Sequence, residues 1–189
     1  DILFQALSQA RGRPLRSYPM CTWTFDTIPA LVSLRLYDLR GGNERSRPLI
    51  EQHLAWVRAE ATDPRVGLPY SRLGDASGTG TGVPRGCDLS FRLCLLPHLA
   101  PAYSEQVYKQ YVRHYWIDHG PLAGFAEWPP GMDGPGDVDS GPIVLRMGLA
   151  ATGMGLGAAI AHHDRERLTR LCASLASFHA VRTLLATAH

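Results

Sequence analysis

The sequence predicts an all-α fold: antiparallel helix-hairpin repeats forming an arc, or part of an α/α-toroid. Three observations predict it. Apolar residues recur at helical spacing along most of the chain, and no segment sustains the period-2 alternation of a half-buried strand. Nearly all-apolar helices alternate with amphipathic ones, the first of each pair following a long loop and the second a short turn. An aspartate recurs where each apolar helix begins, in Phe25-Asp26-Thr27-Ile28-Pro29, Cys87-Asp88-Leu89-Ser90 and Val138-Asp139-Ser140-Gly141-Pro142. These aspartates are 62 and 51 residues apart, a period that points to stacked hairpins sharing one core.

A short helical run, Leu3 to Arg11, is stopped by Gly12 and Pro14. Ile28 to Arg40 carries Ile28, Leu31, Val32, Leu34, Leu36 and Leu39, a helix apolar on most sides and so expected to be buried on most sides. Gly41, Gly42 and Asn43 end it, and its partner sets Leu49, Ile50, His53, Leu54 and Val57 on one face. An irregular stretch, Asp63 to Gly86, precedes a second apolar helix, Leu89 to Leu96. That helix is answered by an amphipathic one, Pro101 to Ile117, with Val107, Tyr108, Tyr111 and Tyr115 at helical spacing. A second long loop, His119 to Gly141, leads to a third apolar helix, Pro142 to Ala161, whose Gly148, Gly153, Gly155 and Gly157 imply close backbone approach. The link His162-His163-Asp164 opens the last helix, with Leu168, Leu171, Cys172, Leu175 and Phe178 on one face. The expected hairpins are therefore 26–62, 88–118 and 140–188 of a single domain, 1–189.

Composition narrows the function classes. A chain of 189 residues with 45% apolar and 19% charged residues is an ordinary globular domain, and a net charge of +2 supplies no field for nucleic acid. Lys109 is the only lysine, and the arginines are scattered without interleaved aromatics. Gly141 to Ala161 is long enough for a bilayer, but Pro142 and Arg146 argue against membrane insertion. The chain starts at Asp1 with no leader pattern, so a trimmed chain or a longer parent protein with a leader or upstream domain is expected; the location is left open, an exported or membrane-attached parent included. The four cysteines match no metal spacing; Cys21 and Cys87 both precede apolar helices and form the preferred bridge, with Cys94 and Cys172 as thiols among leucines. His162-His163-Asp164 sits in a two-helix turn and is not read as a metal cluster. Thr79-Gly80-Thr81-Gly82 lacks the lysine of a phosphate loop, and no Gly-x-Ser-x-Gly occurs. No cofactor is implied.

Antiparallel pairing sends every long loop to one end, together with the N-termini of the apolar helices. The candidate catalytic residues gather there: Asp26, Asp88, Glu127, Asp137 and Asp139. Paired carboxyls of this kind can divide acid and base roles when burial or a neighbouring charge keeps one protonated. Tyr18, Trp23, His119 and Trp128 are the candidate substrate-binding residues, because aromatic faces beside carboxylates suit a sugar or an apolar alcohol. Asp26, Asp88 and Asp139 also read as helix N-caps, although Pro29 and Pro142 would shift the caps to Ile28 and Gly141. Trp23 and Trp128 equally suit the plain task of pinning long loops to the helices.

Two segments, Tyr18 to Tyr37 (YPMCTWTFDTIPALVSLRLY) and Gly136 to Gly157 (GDVDSGPIVLRMGLAATGMGLG), resemble bacterial α/α-toroid proteins of the linalool dehydratase/isomerase-like kind. The Gly-Asp-x-Asp-Ser-Gly-Pro stretch is the more specific part. The resemblance implies a ring of helix pairs around a central pocket, with pocket residues at the inner-helix starts. It further implies a small-molecule or glycan-processing enzyme of lyase or hydrolase type, using carboxylates at the long-loop end. The competing expectation is a non-catalytic helical domain that binds a ligand or another part of a larger protein. Three pairs make an arc, not a closed ring, so self-association or docking on an upstream segment is also expected.

Overall fold

Helix α4, Gly86–Leu95, is buried on nearly every side, and the rest of the chain is arranged around it. The computed structural model describes residues 2–19, 21–74 and 82–187, with side chains described through residue 177. The other helices are α1 (Ile2–Ala10), α2 (Thr27–Gly41), α3 (Arg47–Glu60), α5 (Pro101–Tyr115), α6 (Leu149–Ala161) and α7 (Arg165–Thr187). One core unites Leu31 of α2, Leu54 of α3, Leu89 and Leu93 of α4, Tyr111 of α5, Ala158 of α6 and Leu171 of α7. Phe178, Thr79, Gly80 and Thr81 lie outside the residues whose side chains are described.

The all-α expectation is corrected. The chain is 57% helical with 12% strand, a mixed architecture and not an all-α arc of a toroid. Among the described residues, eight strands of two or three residues pair into four two-stranded antiparallel sheets. β1 (Thr22–Trp23) pairs with β4 (Arg72–Leu73), and β2 (Thr62–Asp63) with β3 (Leu68–Pro69). β5 (Trp116–Asp118) and β6 (Ala123–Phe125) form one hairpin, and β7 (Ile143–Val144) and β8 (Met147–Gly148) another. The β7–β8 hairpin takes the place of the first two turns of the expected Pro142–Ala161 helix. Its two-residue tip, Leu145 and Arg146, has φ of 50° and 68°, the left-handed pair that matches a type I′ turn to the twist of its strands.

A further correction concerns burial. Helix α2 is buried along one face only, by Ile28, Leu31 and Val32, while Leu36, Tyr37 and Leu39 are exposed. Its second half therefore behaves as a surface helix with an apolar outer face. No helix among the described residues is long and apolar enough to cross a membrane.

Helices α4 and α6 run parallel and in close contact, because small residues line both. A Cβ at Gly86 would meet Ala151, one at Gly155 would meet the Phe125 ring and Ser90, and one at Gly157 would meet Cys94. Ser90 Oγ donates to the Ala151 carbonyl at 2.7 Å across the same seam. Gly86 is the tightest point: an added Cβ would lie 1.9 Å from the Ala126 carbonyl oxygen, which is backbone and cannot yield. Gly153, on the exposed side of α6, has nothing within 4 Å of an added Cβ. Gly86→Ala should therefore destabilise the fold by about 3 kcal/mol through overpacking, whereas Gly153→Ala should stabilise it by up to ~1 kcal/mol through helix propensity. Urea unfolding of the two variants side by side checks both signs.

His53 of α3 is buried against the N-terminal segment, its Nδ1–H donating to the Gly12 carbonyl at 2.8 Å. Burial pushes its pKa down to about 4, and Arg92 adds to the effect. Between pH 6.5 and 4 the unfolded chain takes up a proton that the folded chain refuses, so folding stability declines as pH falls through that window. The loss attributable to His53 should approach about 3 kcal/mol at its lower end. His53→Asn, which keeps a donor for Gly12, should flatten the pH dependence of the urea midpoint between pH 6.5 and 5.

Candidate functional site

The site begins with the unsatisfied amides at the start of α4. Arg85, the residue before the helix, is extended and supplies no side-chain cap. Glu127, the second residue after β6, does so from across the fold. Its carbonyl accepts from Gly86 N at 2.8 Å, and its Oε2 accepts from Cys87 N at 3.1 Å. Its own N–H donates to the Arg146 carbonyl in the β7–β8 turn at 3.1 Å. Two α5 tyrosines hold the approach to the helix: Tyr115 donates to the Pro84 carbonyl at 2.6 Å and Tyr111 to that of Gly86 at 3.3 Å.

With its backbone so placed, Arg85 has its guanidinium fixed from two sides. Its Nε donates to Glu127 Oε1 at 2.8 Å; Glu127 is fully buried. Its Nη1 and Nη2 donate to Asp137 Oδ2 and Oδ1 at 2.7 and 3.0 Å, a bidentate fork. The Trp128 and Trp23 rings flank it, with Cζ 4.9 and 5.6 Å from their centroids. Arg85, Asp137, Trp23 and Trp128, with Ser71, Arg72, Gly82 and Val83, line a cleft of about 450 Å³.

The electrostatics follow from burial. Burial pushes the Glu127 carboxyl above its usual range, opposed by the donors from Cys87 and Arg85. The Cys87 thiol donates to Glu127 Oε1 at 3.0 Å, and burial together with that carboxylate pushes its pKa far up. The Arg85 fork holds Asp137 well below the usual carboxylate range. Burial works against the charge on Arg85, but Asp137 and Glu127 outweigh it and the guanidinium stays charged.

A second buried pair lies behind the first. Asp88 faces Arg92 at 3.1 Å, both almost fully buried, and Arg92 Nη2 donates to Thr24 Oγ1 at 2.6 Å. Burial pushes Asp88 up, while Arg92 and the Ser71 hydroxyl pull it back. Ser71 Oγ also accepts from Arg85 N at 2.8 Å, which joins the two pairs into one network.

The structure therefore brings together Glu127, Asp137, Trp23 and Trp128, with Asp88 one hydrogen-bonded step behind. Asp26 is exposed, makes no side-chain cap to α2, and reaches the network only as a charge that raises Asp88. Asp139 points outward and contributes its amide to Asp137 Oδ1. Tyr18 is exposed beside its backbone pairing with Cys21 and does not line the cleft. His119 sits at the exposed tip of the β5–β6 hairpin, the end away from Glu127. No disulfide joins Cys21 to Cys87. Among the described residues no cluster could hold a metal ion. The central residue, Arg85, had no helical or motif signal in the sequence; it lay within the irregular stretch Asp63 to Gly86.

No family model and no curated protein matches the chain. The functional reading accordingly rests on the cleft.

The cysteines give a direct check of this arrangement. Cys87 should resist a thiol reagent such as Ellman's at neutral pH until the chain unfolds, because its thiolate is suppressed, whereas exposed Cys172 should react at once. Glu127→Ala should expose Cys87 to the reagent and cost about 3–5 kcal/mol, since it strips Arg85 of its buried partner.

Proposed function

We propose that the chain is a small-molecule-processing enzyme of lyase or hydrolase type, working in the cleft between Trp23, Arg85, Trp128 and Asp137. One observation carries the reading: a buried guanidinium, oriented from behind by Glu127, meets an ionised carboxylate in a cleft walled by two indoles. A cleft of about 450 Å³ falls within the size range of small-molecule sites, and a few convergent polar groups on an aromatic wall are their usual lining.

The chemistry that fits is cleavage of a carbon–oxygen bond. A substrate oxygen that displaces Asp137 from the fork would have its developing negative charge stabilised by the Arg85 N–H groups and would take its proton from water on leaving. Asp137 is the carboxylate within reach of a ligand, its side chain 44% exposed. Held by the fork it is a weak base; as a ligand oxygen engages Arg85, Asp137 loses its partner, its pKa rises, and it becomes able to take a proton from water or carbon. Trp23 and Trp128 supply flat apolar faces for the body of the substrate. Glu127, with both oxygens engaged, positions Arg85 and does not touch the ligand.

That last point favours a second reading, a non-catalytic ligand-binding domain. Acid–base cleavage commonly uses two carboxyls that face the ligand, and here one of the pair is fully buried. The two readings separate in one experiment. The protein is incubated with a panel of aryl hydroxy acids, tertiary allylic alcohols and aryl glycosides; binding is followed by tryptophan fluorescence and products by mass spectrometry. The enzyme reading expects turnover that falls about 10²–10⁴-fold in Asp137→Asn. Fluorescence quenching with no product across the panel would leave the binding reading in its place.

A further inference from the structure

We propose that the outward fork of Arg85 is the recognition site for a ligand carboxylate, and that Asp137 occupies it in the ligand's absence. The inference rests on the cleft being a small-molecule site and names the class of molecule it takes: an organic acid with a flat apolar body.

Four observations carry it. The two partners of Arg85 are unequal. Glu127, on Nε, is fully buried and also bound by Cys87, whereas Asp137, on Nη1 and Nη2, is 44% exposed at the cleft. An inner partner that cannot leave and an outer one that can is the arrangement an exchangeable site requires. The geometry of the outer pair is itself that of a carboxylate complex, two parallel bonds of 2.7 and 3.0 Å to the two oxygens of one group. A planar two-oxygen anion replaces Asp137 with no change in Arg85.

The loop that carries Asp137 is built to let go. Its turn is closed locally: Asp137 Oδ1 accepts from Asp139 N at 3.0 Å and Ser140 N at 2.9 Å, and Ser140 Oγ accepts from Asp137 N at 2.9 Å. The carboxylate thus keeps two backbone donors after leaving the fork, and the residues around it, Pro135 to Asp139, are all exposed. Finally, Trp23 and Trp128 flank the guanidinium, and Arg72 adds a second cation to the lining. A ligand whose carboxylate sits in the fork extends its body along the indole faces.

Benzoate, phenyl phosphate and benzyl alcohol distinguish the possibilities as probes, titrated by calorimetry into the wild-type chain and into Asp137→Asn and Arg85→Lys. Asn keeps the oxygen that closes the turn but removes the competing charge; Lys keeps the cation but removes the fork. The expected result is benzoate binding that tightens at least tenfold in Asp137→Asn, is lost in Arg85→Lys, and exceeds phenyl phosphate binding throughout. Should Arg85→Lys fail to fold, competition in Asp137→Asn replaces it: acetate should displace benzoate, and benzyl alcohol should not. Benzoate binding that is unchanged or absent in a folded Asp137→Asn would overturn the assignment, as would preference for phenyl phosphate. Benzyl alcohol binding as well as benzoate would also overturn it, while leaving the cleft intact as a small-molecule site. Benzoate binding without turnover of any substrate would instead uphold the fork and remove the enzyme reading.

Discussion

The fold around the cleft depends on Glu127 capping α4 from a distance. A helix start leaves several amides without partners, and a buried start needs them supplied from elsewhere. Glu127 supplies two acceptors, its carbonyl to Gly86 and its Oε2 to Cys87, and its amide holds the β7–β8 turn through Arg146. One residue thereby joins the central helix, the segment after β6 and the hairpin before α6. Burying a carboxylate is costly, and truncating one member of a buried ion pair costs more than the intact pair contributes. What the pair specifies is orientation: the Nε bond to Glu127 turns the guanidinium fork of Arg85 toward the cleft.

The close packing of α4 on α6 serves the same point. Parallel helices in contact place both N-termini at one end, and both approach Glu127. A Cβ at Gly148, the residue before α6, would meet Glu127 Oε2 at 2.7 Å, so glycine there lets a second helix start draw near the carboxylate. The Cys87 thiol and amide at the start of α4, with Arg85, oppose the desolvation that pushes Glu127 upward. The close seam that Gly86 and Gly155 permit therefore brings both helix starts to the same carboxylate.

The helices were legible because their apolar faces are long enough for periodicity to register. The face Leu49, Ile50, His53, Leu54 and Val57 of α3 is buried as its spacing indicates, as is Val107, Tyr108, Tyr111 and Tyr115 of α5. The strands were not legible, since two or three residues such as Thr22–Trp23 cannot show alternation, and their pairing across loops is a tertiary event. Pro142 to Gly148 looked helical by composition, but positive φ at Leu145 and Arg146 makes a hairpin of it. Of the site, Glu127 and Asp137 were marked by clustering with tryptophans in the loops. The recurring aspartates were misleading as equivalents. Asp26 stands just outside α2, Asp88 lies within α4, and Asp139 precedes α6 by a whole hairpin. Arg85 was invisible because a lone arginine among scattered arginines acquires meaning only when two carboxylates converge on it.

The charge count of the network decides which of its members can act. Arg85 with Glu127, and Arg92 with Asp88, form two buried pairs, joined through Ser71 and each neutral in itself. Asp137 is the fifth charge and the one in solvent contact. Removing any of the first four leaves a buried charge unmatched, the costly outcome for an interior ion pair. Removing Asp137 from the fork leaves none, because Glu127 still balances Arg85 and the freed carboxylate returns to water and its own turn amides. Chemistry that needs a group to change partners or protonation during a cycle can therefore be carried by Asp137 without disturbing the core. Glu127, Asp88 and Arg92 are confined to holding Arg85 where that exchange takes place.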